Sequence, residues 1–323
     1  LLFFVPQKRI RFANLPSANT FQRIMKKIFL LAGGTGFIGS RLADLLCSQG
    51  HEVRLLTRTP QGPGQFGWDP AAGRIDDDAV RGANVVVNLA GAGIAERRWT
   101  PKRKKLIIES RVQSAKVLRD AFQRLQYQPQ AYLAASAIGY YGNSGEQWMN
   151  ENDAPADQGF LVESTTAWEQ ATETIGALGI RTVVFRIGIV LETSGGALRA
   201  LIQPLRLGVG GYFGNGQAWY SWVHRDDVCR MFLWAAENPT VEGIYNAVAP
   251  NPARNKDLVK AAAKAMRQPA LFVPGPELAL RLAFGEMADA ILNSTRVSAE
   301  KIIHAGFHFQ YPDLDGALTH ILG

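Results

Sequence analysis

Short apolar runs separated by charged stretches of helical period dominate the chain. Ile28–Ala32 (IFLLA) and Val85–Leu89 (VVVNL) are unbroken, as strands buried on both faces of a parallel sheet should be. Glu52–Arg58, Gln130–Ile138, Arg181–Leu191 and Gly243–Ala247 read as further strands. Helical patterns follow Gly36 (Phe37, Leu42, Leu45, Leu46), fill Glu96–Phe122 and Leu161–Leu178, and run from Val223–Asp227 to about Glu237. Strands alternating with helices predict an α/β fold built on a doubly wound parallel sheet. Thr59–Asp78, Gly/Pro-rich around Trp68-Asp69-Pro70, reads mostly as loop. Gly208–Trp222 mixes glycine with aromatics, as a loop that closes on a substrate and stacks against it would. Beyond Pro250, helical patterns alternate with Pro turns, and Gly306–Pro312 is expected to hold one last short strand. A main domain over 25–249 and a smaller, mostly helical substrate lobe over 250–323 are expected, with 192–221 contributing to the lobe.

The chain has 323 residues, 47% of them hydrophobic, enough for one large domain or two closely joined ones. No apolar run approaches a membrane span, so no membrane partner is expected. Cys47 and Cys229 lie far apart and form no C-x-x-C, which argues against a disulfide framework and a metal site. A reducing, cytoplasmic location is the expectation. Net charge is +7, but Lys8, Arg9, Arg11 and Arg23 fall in an acid-free start, leaving no basis for a nucleic-acid partner. Residues 1–24 are expected to be a disordered leader before Met25. A transit peptide or membrane-touching arm is the other reading.

The most specific chemistry lies after the first strand. Gly33, Gly36 and Gly39 are spaced G-x-x-G-x-x-G between a strand and a helix, which is the setting of a dinucleotide-binding turn. Gly33 permits a sharp turn, Gly36 lets a pyrophosphate approach the backbone, and Gly39 removes a side chain where helix meets sheet. The fold expected is therefore Rossmann-type. The second strand ends in Thr57-Arg58 with no carboxylate. An acid there would hold the ribose 2′-hydroxyl of NAD, whereas Arg58 can pair with the 2′-phosphate of NADP. NADP, as NADPH, is the expected cofactor. Ala90-Gly91 at the next strand end leave room for a ligand, and Gln130–Ile138 delivers Ser136, then Tyr140 and Tyr141, to the same sheet edge.

These segments resemble the extended short-chain dehydrogenase/reductase superfamily: Gly33-Gly34-Thr35-Gly36-Phe37-Ile38-Gly39, Asn88-Leu89-Ala90-Gly91, Ser136 and Val223-His224-Arg225-Asp226-Asp227. More closely, the chain is similar to an atypical branch of nucleoside-diphosphate-sugar epimerase-like proteins. Arg98-Trp99-Thr100, Ser110-Arg111, Trp168-Glu169 and the tail from Pro250 to Leu322 carry that likeness. The resemblance implies that Thr35, Phe37, Ile38, Asn88, Ala90, Gly91 and Ser136 join the glycines and Arg58 around the cofactor. It also implies a catalytic Ser–Tyr–Lys set in which Lys lowers the Tyr pKa. Here none of the eight tyrosines has Lys four residues on, and Leu161 and Thr165 fall where Tyr and Lys would sit.

Two functions therefore compete. One is an NADP(H)-dependent oxidoreductase or epimerase-like enzyme acting on a small, nucleotide-sugar-like molecule, with Ser136, Tyr140, Tyr141 and His224 as replacement catalytic groups. The other is a non-catalytic NADP(H) sensor or scaffold that binds a protein partner. A monomer or homodimer is expected in either case.

Overall fold

The computed structural model describes residues 26–323, so the leader expected over 1–24 lies outside it. Its centre is an eight-stranded sheet. The first six strands in chain order are β1 (Ile28–Ala32), β2 (Glu52–Thr57), β3 (Gln65–Asp69), β4 (Arg74–Ile75), β5 (Val85–Asn88) and β6 (Ala131–Ala137). Thr182–Ile187 and Gly243–Ala247 complete it, in the spatial order Gly243–Ala247, Thr182–Ile187, β6, β5, β1, β2, β3, β4. Only the β3–β4 pair is antiparallel. The order reverses at β1, which lies between β5 and β2, so the crevice at its carboxyl end is where such sheets bind ligands.

Strand alternation builds a core on each face. Phe29 and Leu31 face the side covered by α1 (Gly39–Ser48) and the helix Arg225–Glu237. Leu30 and Ala32 face the side covered by α2 (Asp77–Val80) and α3 (Pro101–Arg124). Ile175 of α4 (Phe160–Gly176) packs on that second side as well. Thr100 caps α3 by accepting from the Arg103 amide, and Pro101 suits its first turn.

Three expectations are corrected. Thr59–Asp78 is not loop throughout, because it contains β3 and β4. Phe66 and Trp68 alternate onto the apolar face, and that burial outweighs the Gly and Pro around them. Arg181–Leu191 is two strands. At Gly188 the chain leaves the main sheet, and Ile189–Leu191 pairs with Trp222–His224 instead. A Cβ on Gly188 would collide with the Ser221 carbonyl and stand 2.8 Å from Val248 Cγ1. Gly306–Pro312 forms no strand. The Gln310 and Tyr311 amides donate to the buried Asp227 carboxylate, at 2.8 and 2.9 Å, rather than to a neighbouring strand.

A third apolar cluster joins the stretch after Leu191 to the C-terminal part. Leu198, Leu201 and Leu205 pack with Leu258, Val259 and Ala262, and with Ala317 and Leu318 of the last helix. The Gly208–Trp222 segment is tied down in this lobe. Val209–Phe213 pairs with Leu271–Gly275, and Trp219-Tyr220 with Ala253-Arg254. His224 closes the lobe against the sheet. Its Nδ1 accepts from the Asp226 amide at 3.0 Å, its ring stacks on Tyr311, and its Nε2 lies 3.3 Å from His320 Nδ1.

Two outcomes follow. Gly188→Ala should lower stability by about 1–3 kcal/mol by overpacking the strand switch. Gly62→Ala, in open space at negative φ, should stay within about 0.5 kcal/mol. Thermal denaturation of the two variants checks this. Burial, the largest influence on His224, lowers its pKa from 6.5, with His320 in the same direction and Asp226, Asp227 and Glu192 opposing. The unfolded chain then takes up the proton more readily. The contribution is present above 6.5 and is lost as pH falls through the depressed folded value. His224→Asn keeps a capping acceptor, so its melting temperature should fall less between pH 7.5 and 5 than that of the unmodified protein.

Candidate functional site

β1 ends at Ala32 and turns at Gly33, whose φ is +80°. A Cβ at Gly33 would lie 2.8 Å from the Leu89 carbonyl carbon and 2.9 Å from the Ala90 nitrogen. The turns after β1 and β5 thus touch backbone to backbone. A Cβ at Gly39 would collide with the Gly33 carbonyl oxygen, so α1 starts hard against the turn. Thr35 and Gly36 are exposed, and only the Gly33 oxygen would crowd a Cβ on Gly36, at 3.2 Å. Ile38 precedes α1 without giving it a side-chain cap. The Ser40 amide turns back to the Gly36 carbonyl at 2.9 Å, while the Gly39 amide has no backbone partner among the described residues and sits where the helix dipole favours an anion. Phe37 is half-buried, under the Arg225 guanidinium at 5.5 Å and against Gly195.

Around this cradle the neighbouring strand ends supply the rest. Ala32 sits opposite Leu56, so Arg58 emerges beside the turn just past β2. It is exposed and pairs with no carboxylate among the described residues. Asn88 is fully buried. Its amide donates to Ser114 and Tyr132 and its oxygen accepts from the Ala90 amide at 3.1 Å, so it shapes the turn from below. Ala90 is half-buried and Gly91 is exposed, with the Arg111 side chain directly behind it. The residues present fit a dinucleotide: a side-chain-free cradle, uncapped amides and an open cation past β2.

The expected catalytic groups divide sharply. Ser136 shares its side of β6 with Tyr132 and Ala134, so it turns toward α4. Its hydroxyl is buried and donates to Glu169 Oε1 at 2.6 Å. Glu169 also receives Arg186 Nε and Nη2 at 2.9 and 2.8 Å, a buried bidentate pair. Arg186 donates further to the Tyr141 hydroxyl at 2.9 Å, and Tyr141 donates to Asn246 Oδ1 at 2.7 Å. Burial pushes the Tyr141 phenol up to about 12, against the opposing pull of Arg186. Tyr140 differs. Its ring lies 3.4 Å from the Arg186 Cζ, it is only half-buried, and its hydroxyl has no hydrogen bond to the described residues. His224 caps a helix and stacks under the lobe, as above. The structure therefore joins Ser136, Tyr140 and Tyr141 through one buried network and holds His224 in another.

Leu161 and Thr165 face the turn carrying these groups. A Cβ on Gly139 would stand 3.1 Å from Leu161 Cβ and 3.8 Å from Thr165 Cγ2. Thr165 donates its hydroxyl back to the Leu161 carbonyl. Just past the turn, a cavity of about 350 Å³ opens toward the lobe, lined by Asn143, Phe213, Asn215 and Asn293 together with the ion-paired Glu277 and Arg281. Trp219 belongs to the same region, with its indole N–H on Glu146 and the Arg254 and Arg296 guanidiniums over its ring. Sequence reading gave no role to Glu169 or Arg186. The available signal was an arginine inside the apolar strand RTVVFRI, which demands a buried partner.

Comparison with known proteins agrees with this architecture. A model described as the NAD dependent epimerase/dehydratase family matches residues 29–247, and one for a domain of unknown function matches 276–321. Epimerase family protein YfhF of Bacillus subtilis is 36% identical over 296 residues, covering 90% of this chain and 97% of that protein. The crystal structure of human epimerase family protein SDR39U1 with NADPH matches with a TM-score of 0.82 at 32% identity, covering 91% of this chain and 99% of that one. The Thermus thermophilus UDP-glucose 4-epimerase in complex with NAD, at 20% identity and a TM-score of 0.70 over 91% of this chain and 97% of that one, shares the fold. A Rossmann-type sheet with a helical C-terminal region, a glycine cradle and these relatives lead to one conclusion: the chain belongs to the NAD dependent epimerase/dehydratase family.

Proposed function

We propose that this protein binds NADP(H) in preference to NAD(H) and uses it as an oxidoreductase or epimerase-like enzyme on a small polar molecule. The carrying observation is Arg58, exposed and unpaired among the described residues, beside the glycine turn where an NAD-selective site would hold a carboxylate. The NADPH in the human relative's structure supports the choice. When bound, the cofactor supplies a hydride donor or acceptor. The amide side chains of Asn143, Asn215 and Asn293 suit a hydroxyl-rich ligand such as a nucleotide-sugar-like molecule. Cys47 and Cys229 are both free thiols, which supports a reducing, cytoplasmic setting.

Tyr140 is the proton-exchanging group we assign. The Arg186 guanidinium lies against its ring, placing a cationic group beside this tyrosine as a lysine does elsewhere. Ser136, Tyr141 and His224 hold the surrounding structure through the bonds already described. Their engagement is also the observation that favours the second reading, a sensor that binds cofactor without turning it over.

Two measurements test the proposal. An Arg–phosphate contact of about 1.5–3 kcal/mol corresponds to roughly ten- to a hundredfold tighter binding of NADPH than of NADH. Fluorescence titration should find that preference, and Arg58→Ala should abolish it; equal affinities in the unmodified protein would overturn the assignment. For the chemistry, 4-labelled NADPH is incubated with metabolite extracts and label exchange is followed. Tyr140→Phe should reduce exchange by about 10²-fold or more with NADPH affinity unchanged. Absence of exchange, together with an NADPH-dependent change in affinity for a protein partner, would favour the sensor.

A further inference from the structure

Arg111 is a buried cation without an anion. It projects from α3 with 7% of its surface exposed, and among the described residues it pairs with no carboxylate. The contrast with Arg186 is direct, since that guanidinium, also buried, is bonded twice by the Glu169 carboxylate. Arg111 Nη1 donates to the Ala92 and Ile107 carbonyls, at 3.0 and 2.9 Å. Its Nε and Nη2 have no partner among the described residues. Burial, and then repulsion from Arg103, lowers its pKa to about 10. It remains a cation at neutral pH. Neither Nε nor Nη2 is a buried unpartnered atom, so both reach solvent and are open to a ligand.

Its position says what would pair. The guanidinium lies against Gly91 at the end of β5, with its Cζ 2.9 Å from where a Cβ on that glycine would stand. β5 is on the opposite side of β1 from β2 and Arg58, so the two arginines flank the crevice from its two halves. The same guanidinium stacks 4.8 Å over the Trp168 ring. Trp168 follows Leu161 by seven residues and Thr165 by three, so the three share one face of α4. That face lacks the lysine of the Y-x-x-x-K arrangement. Arg111 brings a positive charge to it from the neighbouring helix. The Trp168 indole N–H is also buried without an acceptor among the described residues.

We propose that Arg111 is a cofactor-binding residue whose free Nε and Nη2 donors hold oxygen atoms of the nicotinamide mononucleotide half of NADP(H), in place of the missing lysine. The inference rests on the NADP(H) reading above and deepens it. Arg58 then secures the adenosine 2′-phosphate and Arg111 the opposite half. A side chain at Gly91 would push against the guanidinium, which lies 2.9 Å from the position its Cβ would take.

The test separates the two halves of the ligand. Unmodified protein, Arg111→Met and Arg111→Lys are titrated with NADPH and with adenosine 2′,5′-bisphosphate, which lacks the nicotinamide half. Arg111→Met should lose about tenfold or more in NADPH affinity while bisphosphate affinity stays within about twofold. Arg111→Lys keeps the charge but not the Nε and Nη2 donors, so it should recover only part of the lost NADPH affinity. Arg111→Gln, which retains a donor for the Ala92 carbonyl, is read in the same way if the Met variant fails to fold. Unchanged NADPH affinity overturns the inference. So does an equal loss for both ligands, which would mean that Arg111 serves only to fix the Gly91–Ala92 turn. If the unmodified protein binds neither ligand, the cofactor reading itself falls; if it binds both and only this pattern is missing, the inference alone falls.

Discussion

Arg186 and Glu169 meet where water does not reach, and much of the site hangs on their pairing. One comes from an inner strand and the other from α4, so the pair ties helix to sheet on the face where α3 and α4 pack. Such a pair adds little net stability over an apolar substitute, but removing one partner strands the other charge, at about 3–5 kcal/mol. The pair also organises its neighbours. Ser136 donates to the carboxylate, Tyr141 accepts from the guanidinium, and Tyr140 lies flat on it. Asn246 of the last strand joins through Tyr141. Groups from three strands, a helix and a turn are held by one buried charge pair.

The glycine turn has the form of a dinucleotide cradle, with close backbone contacts, no side-chain cap on α1 and small residues at the strand ends. The α4 face beside it departs from the Y-x-x-x-K pattern. Where a tyrosine and lysine would share a helix face, Leu161 and Thr165 stand, and Thr165 spends its hydroxyl on its own helix. Positive charge returns from two other directions, Arg186 beneath Tyr140 and Arg111 behind Gly91. Their surroundings differ: Arg186 is neutralised by Glu169, whereas Arg111 has no carboxylate beside it among the described residues.

The lobe follows the same economy. The glycine-aromatic segment is paired into two small sheets. Its Trp219 is fixed by Glu146, Arg254 and Arg296. Asp227 performs a comparable task from the helix after His224, holding two amides of the segment that returns to the last helix. Burial of its carboxylate is tolerated because the two amides and Arg230 satisfy it.

Local signals in the chain determined the parallel sheet, the glycine turn and the strand ends. A fully buried strand must be continuously apolar, and a turn packed against another backbone must be glycine. Gly33 and Gly39 were legible for that reason, as was the absence of any Y-x-x-x-K. β3 was not, because a strand containing Gly67 and bounded by Pro70 is made favourable only by the apolar face that Phe66 and Trp68 find in the folded protein. The break at Gly188 was hidden too, since continuous β-branched residues do not say which partner strand each half will meet. Only tertiary structure decided which polar groups are free to act. Ser136, Tyr141 and His224 are chemically able residues in sequence. Their hydrogen bonds are claimed by Glu169, Asn246 and the Asp226 amide, partners at separations from two to more than a hundred residues, and burial decides such competition only once the chain has closed around it.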